Sequence, residues 1–123
     1  MKNVLAIGVD PALVDFSTLP QLTPELVRSY IDAQIERLRE AGFEVTSCLV
    51  DLGETAEAVA AEALQSTRFD RVVIGAGLRV PADRLLLFER IINLVHQLAP
   101  NASICFNSNP SGTAEAVQRW IAP

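Results

Sequence analysis

Lysine and histidine occur once each in the 123 residues, as Lys2 and His96, and cysteine twice, as Cys48 and Cys105. Ten basic residues face fifteen acidic ones, a net charge of −5, so the chain can hardly assemble the basic face that phosphate backbones require, and no nucleic-acid partner is expected. No stretch approaches the ~20 uninterrupted apolar residues of a membrane span, so no membrane partner is expected either. The cysteines form no CxxC pair and no zinc-spaced cluster with histidine. They are read as reduced thiols filling gaps in a core, and no metal or other cofactor is implied.

What is abundant is apolar: half of the residues, with a fifth charged, which excludes disorder. The length suits one domain, residues 1–123. The opening apolar run is only about six residues, too short for a secretory h-region of ~7–15, and it ends in Gly8-Val9-Asp10-Pro11 rather than a cleavage site. It reads as a first strand, and the chain as soluble and cytoplasmic.

Strand-like runs at Asn3–Val9, Phe43–Val50, Arg71–Gly75 and Ala102–Phe106 alternate with helical segments. The first helix is well punctuated: Thr23 as N-cap, Pro24 at its first position, Glu25 at the positive end of its dipole, and Gly42 in a left-handed C′ position. Val27, Ile31, Ile35 and Leu38 make its apolar stripe. Further helices are expected over Glu54–Gln65, Pro81–Leu98 and Thr113–Ile121. Such alternation predicts an α/β three-layer sandwich with a four-stranded parallel sheet, order 2-1-3-4, of flavodoxin-like winding. The first and last helices then share one face. Cys48 and Cys105 fall on opposite outer strands, about 14 Å apart at ~4.8 Å per strand, too far for a disulfide.

In such a sheet ligands bind beyond the carboxyl ends of the strands, where the strand order reverses. The residues expected there are Asp10, Asp51, Gly75, Gly77, Arg79 and Asn107, with Ser111 in a hydroxyl-bearing loop before the last helix. All but Arg79 are also ordinary turn formers. The connection Asp10–Leu22 is about twice the usual ~2–6 residues or more, which favours a functional lid carrying Asp15, Phe16, Ser17 and Thr18. Asp10 with Asp15 or Asp51 would make a carboxylate pair for acid–base chemistry or Mg²⁺.

Several motifs fail in informative ways. Gly75-Ala76-Gly77 lacks the third glycine of a dinucleotide loop and follows the wrong strand, so either a tight turn with positive φ or close backbone approach explains it. Gly53-Glu54-Thr55-Ala56-Glu57 resembles the phosphate loop of sugar isomerase domains, but Leu52 replaces the phosphate-binding serine and Asp51 would repel the ligand. Asn109–Thr113 is the better anion cradle. No P-loop occurs, and neither a receiver domain's acceptor aspartate nor a flavodoxin phosphate loop is in place. His96 lies ~20 Å along its helix, at the far end from the expected site, so nucleophilic catalysis there lacks its usual base.

Helix 81–98 carries more apolar surface than one sheet contact needs. Leu85, Leu87, Phe88, Ile91, Ile92, Leu94, Val95 and Leu98 span an arc of about 180°, with Leu86 outside it. This predicts a homodimer through that helix, unless its neighbours bury it deeply. Over its whole length the chain resembles a group of small bacterial α/β proteins of no known function. The resemblance rests on Gly8-Val9-Asp10-Pro11, Gly53–Val59, Val73–Gly77, Leu87-Phe88-Glu89 with Asn93 and His96, and Ile104–Asn107. It implies a bacterial origin and supplies no catalytic residue. The sequence therefore points to a small polar or anionic ligand at the strand ends. A hydrolase or isomerase using Asp10 is one alternative, and an assembly module acting through helix 81–98 is another.

Overall fold

The computed structural model describes residues 2–17 and 19–120. Strands β1 (Lys2–Val9), β2 (Phe43–Val50), β3 (Arg71–Ile74) and β4 (Ser103–Phe106) form one all-parallel sheet in the order β2-β1-β3-β4. The helices are α1 (Pro24–Glu40), α2 (Ala56–Ser66), α3 (Ala76–Arg79), α4 (Leu85–Leu98) and α5 (Thr113–Gln118). The result is the expected α/β three-layer sandwich.

Strand side chains alternate between faces, and this sorts the core into two parts. Leu5, Ile7, Val72 and Ile74 pack under α2 and α4, whereas Val4, Val45, Val73 and Cys105 pack under α1 and α5. Each fully buried aliphatic side chain contributes roughly 1.5–3 kcal/mol. The cysteines lie on outer strands and opposite faces, buried and unpaired by any disulfide.

Local chemistry sets the helix ends. The Thr23 hydroxyl accepts from the Leu26 N–H at 3.1 Å, Pro24 opens α1, and Gly42 closes it at φ +98°. The boundaries of α2 and α4 differ from expectation. Asp51 holds Gly53 and Thr55 in a turn, delaying α2 to Ala56. Pro81 is extended (ψ 127°), a 3-10 turn covers Ala82–Arg84, and α4 begins at Leu85 rather than Pro81. The Gly75–Arg79 segment, expected as a turn, winds into the single-turn helix α3 and buries Leu78. In α5 the described helix stops at Gln118; Ile121 lies outside the described residues.

The apolar arc of α4 meets the sheet and its neighbours. Leu87, Ile91 and Val95 are buried, and Phe88, Ile92, Leu94 and Leu98 are partly buried against the same core. Leu85 and Leu86 remain exposed at 59% and 58%. Deep burial by the neighbours therefore accounts for most of the surplus. No described helix is long and apolar enough to cross a membrane.

Candidate functional site

The two faces of the sheet are built differently at their carboxyl ends. Beneath α2 and α4, β1 presents Leu5, Ile7 and Val9, and beneath α1 it presents Val4, Ala6 and Gly8. Side-chain volume thus shrinks step by step toward the carboxyl end. The neighbours of Ala6 are Ser47 on β2 and Val73 on β3, Gly8 pairs with Leu49, and the Gly75 N–H donates to the Ile7 carbonyl at 2.9 Å. Gly75 and Gly77 both have negative φ, since Gly42 is the one glycine with positive φ among the described residues. The positive-φ explanation of Gly75-Ala76-Gly77 is therefore corrected. A Cβ at Gly75 would stand 3.5 Å from the Ile7 carbonyl oxygen and 3.7 Å from the Gly8 Cα, ordinary van der Waals contacts, so the close-approach explanation does not require glycine there either.

Missing side chains leave a cleft of about 340 Å³ between the sheet and α1. Its floor is Ala6, Gly8, Leu49, Val73 and Gly75, and one wall is the row Val27, Ile31 and Ile35 on successive turns of α1. Val14, Phe16, Leu19 and Leu22 close it from the long β1–α1 connection. Phe16 and Leu22 are half-buried yet belong to neither core. The connection thus contributes apolar side chains. Of the polar residues expected to form the lid, Asp15 accepts from the Ser17 N–H at 2.9 Å in a local turn, which holds its carboxyl below the usual range. Thr18 lies outside the described residues.

The expected site residues divide. Gly75, Gly77 and Asn107 line the cleft; Asp10, Asp51, Arg79 and Ser111 do not. Asp10 caps the 3-10 turn Pro11–Leu13 by accepting from the Ala12 N–H at 3.0 Å, and it pairs with Arg28 at 2.8 Å. Asp51 accepts from the Gly53 and Thr55 N–H groups and from the Thr55 hydroxyl, and these bonds hold its carboxyl below the usual value. In the Gly53–Glu57 loop the donors that would face a phosphate are thus taken by the protein's own carboxylate. Arg79 donates to the Asn107 carbonyl at 2.8 Å and lies over the Phe106 ring, 5.6 Å from its centroid. Ser111 is exposed in the turn before α5, where the Ala114 N–H is bound by Gln34 Oε1 at 2.9 Å. The carboxylates are therefore committed to separate turns.

Asn107 is buried and acts as a junction. Its Oδ1 accepts from the Ala76 N–H at 2.8 Å and its Nδ2 donates to Thr113 Oγ1 at 2.9 Å. It fastens the end of β4 to the starts of α3 and α5. Among the described residues no group of three or more His, Cys, Asp or Glu side chains is arranged to hold a metal. His96 is exposed in the last turn of α4.

Residue-type reasoning missed Ala6, Gly8, Ile31, Val80 and Arg84. The signal for the first two was present as the spacing Val4-x-Ala6-x-Gly8, which tapers one face of a central strand. Among the cleft's lining residues Arg84 alone is ionisable, and its Nη1 donates to the Gly77 carbonyl at 2.7 Å. Comparison with known families finds no family that matches the chain, and comparison with curated proteins finds no significant match.

Proposed function

We propose that this protein binds a small organic molecule in the cleft beneath α1, at the carboxyl ends of β1 and β3. The observation that carries the reading is the cleft's place. It lies at the switch point, between the adjacent central strands whose connections leave for opposite faces of the sheet. Its volume falls at the small end of ligand sites, which run ~300–1,000 Å³. Asp10 and Asp51 serve their own turns and stand outside it, so the geometry favours binding over carboxylate-dependent hydrolysis or isomerisation. Titration of labelled protein with a fragment library, followed by amide resonances, tests this. Saturable shifts clustered on Gly8, Gly75 and Gly77 support the reading; shifts that cluster elsewhere overturn it.

A second reading, a homodimer through α4, is favoured by the exposure of Val80, Leu85 and Leu86 within seven positions of the chain. Such a contact would cover surface outside the α4 core. A mass of two chains at micromolar concentration, reduced to one by Leu85→Glu with Leu86→Glu, supports it. A one-chain mass for the parent protein removes it.

A further inference from the structure

Resting on the cleft-binding reading, we infer that the ligand is an amphipathic carboxylate, whose apolar body lies in the cleft and whose acid group pairs with Arg84 where the cleft meets water. The loop residues suggest an anionic group held by Arg79. The cleft moves that counter-charge to Arg84 and adds the apolar body.

The body follows from the walls. Ala6, Val73, Val27, Ile31, Val14 and Leu19 present hydrocarbon from the sheet, α1 and the β1–α1 connection. A molecule seated there gains by removing this surface from water, so the part that enters is apolar. The acid end follows from the charges. Arg84 is the one ionisable residue of the lining; it is half-buried, and none of its nitrogen atoms is buried without a partner. Its stem therefore belongs to the wall while its free N–H groups keep contact with water. The three ion pairs among the described residues are Asp10–Arg28, Glu36–Arg39 and Glu57–Arg90, so no acid neutralises it. Asp83, its chain neighbour, is exposed and forms no ion pair with it. The Nη1 bond to the Gly77 carbonyl, 2.7 Å, goes to a neutral acceptor. It holds the guanidinium in place and leaves its charge and its other N–H groups available, and that planar fork matches a carboxylate.

Other charges fit less well. A cationic ligand would meet this arginine and no carboxylate. A phosphate monoester carries about −1.5 to −2 at neutral pH, more than one guanidinium balances. Arg79 does not share the task, since it stands outside the lining, bonded to the Asn107 carbonyl over the Phe106 ring.

Hexanoate and phenylacetate are the probes, each compared with its own amide, which keeps the body and removes the charge. Hexylamine, hexyl phosphate and acetate test the opposite sign, the double charge and the acid without a body. Each is titrated into the full chain at pH 7 in low salt and followed by amide shifts. At least one acid should saturate the amides of Gly8, Gly75 and Gly77 and bind at least about fivefold more tightly than its amide. Arg84→Met keeps much of the stem and should abolish that preference while leaving amide binding unchanged. If Arg84→Met fails to fold, salt gives the same answer on the parent protein. Raising it from ~0.01 M to ~1 M shortens the screening length from ~30 Å to ~3 Å and should narrow the preference without weakening the amide. Gly8→Leu should weaken acid and amide alike by about tenfold, because a Cβ there meets only Leu49 Cδ2 at 3.9 Å and a longer side chain can occupy the cleft. An amide, hexylamine, hexyl phosphate or acetate binding as tightly as the acids would overturn the ligand class and leave the site standing. An acid preference that survives both Arg84→Met and high salt would overturn the role of Arg84. If no probe gives saturable shifts at the cleft, the class and the site are both refuted.

Discussion

Replacing Asn107 by leucine keeps the branching of the side chain and removes both of its hydrogen bonds. The first loss is the acceptor for the Ala76 N–H at 2.8 Å; the second is the Nδ2 bond to Thr113 Oγ1 at 2.9 Å. A typical hydrogen bond contributes about 1 kcal/mol net, and a buried donor stripped of its acceptor costs ~1–3 kcal/mol. Asn107 is 7% exposed, so water cannot freely substitute. The two losses together give a destabilisation of about 2–4 kcal/mol, a large part of the ~5–15 kcal/mol that holds a domain folded. Urea unfolding at neutral pH measures it. With a slope of ~1–3 kcal/mol per molar urea, the midpoint should fall by roughly 1–2 M at an unchanged slope. A shift below about 0.3 M would show that Asn107 does not fasten β4 to α3 and α5 and would refute the structural role assigned to it.

Asp51 and the cysteines give further tests. Because the Asp51 carboxyl is held below its usual value of 3.8 by hydrogen bonds from Gly53 and Thr55, its stabilising effect is complete above that value and disappears as the pH falls below it. Asp51→Asn should therefore flatten the acid limb of the stability profile, measured by thermal melts from pH 6 downward; an unaltered limb would contradict the capping role. Burial pushes the Cys105 thiol up to about 11 from 9.0, against the opposing pull of Arg71 and Arg119, and it raises Cys48 as well. Both thiols should resist a disulfide reagent at pH 8 until denaturant is added, and then react as two groups per chain. On the alkaline side the Cys105 contribution is complete below 9.0 and falls as pH rises toward about 11. Rapid labelling of native protein would show that the outer strands open.

The fold was legible because its signals are local and redundant. Thr23, Pro24 and Gly42 mark α1 by capping chemistry alone, and the continuous apolar run of β3 shows a strand covered on both faces. The site was legible only in position. Sequence reasoning looked for polar loop residues, because Asp10, Asp51 and Asn107 are the types that bind ligands in many proteins. The same types also satisfy backbone groups at turns, and here that second use took all three. Which use prevails depends on partners 2 to 31 residues away, as the Ala12 bond to Asp10 and the Ala76 bond to Asn107 show. No single-residue signal carries that information. The cleft itself is defined by side chains that are small, and a small residue in a strand reads as weak packing unless its alternation with Val4 is followed.

The row Val27, Ile31 and Ile35 has a consequence for motion along α1. Ile35 and Leu38, in the second half of the helix, belong to the core, whereas Val27 is buried without joining it, because the cleft lies beneath the first half. The side link there is the exposed Asp10–Arg28 pair, and such pairs contribute only ~0–1 kcal/mol. One continuous helix is therefore fastened unequally. Its first turns are free to lift by local opening at a smaller free-energy cost than the whole domain needs to unfold, so their amides should exchange with solvent sooner than those near Leu38. A molecule seated in the cleft would rest against Val27 and Ile31, slow that exchange, and be registered in the backbone of the helix above it.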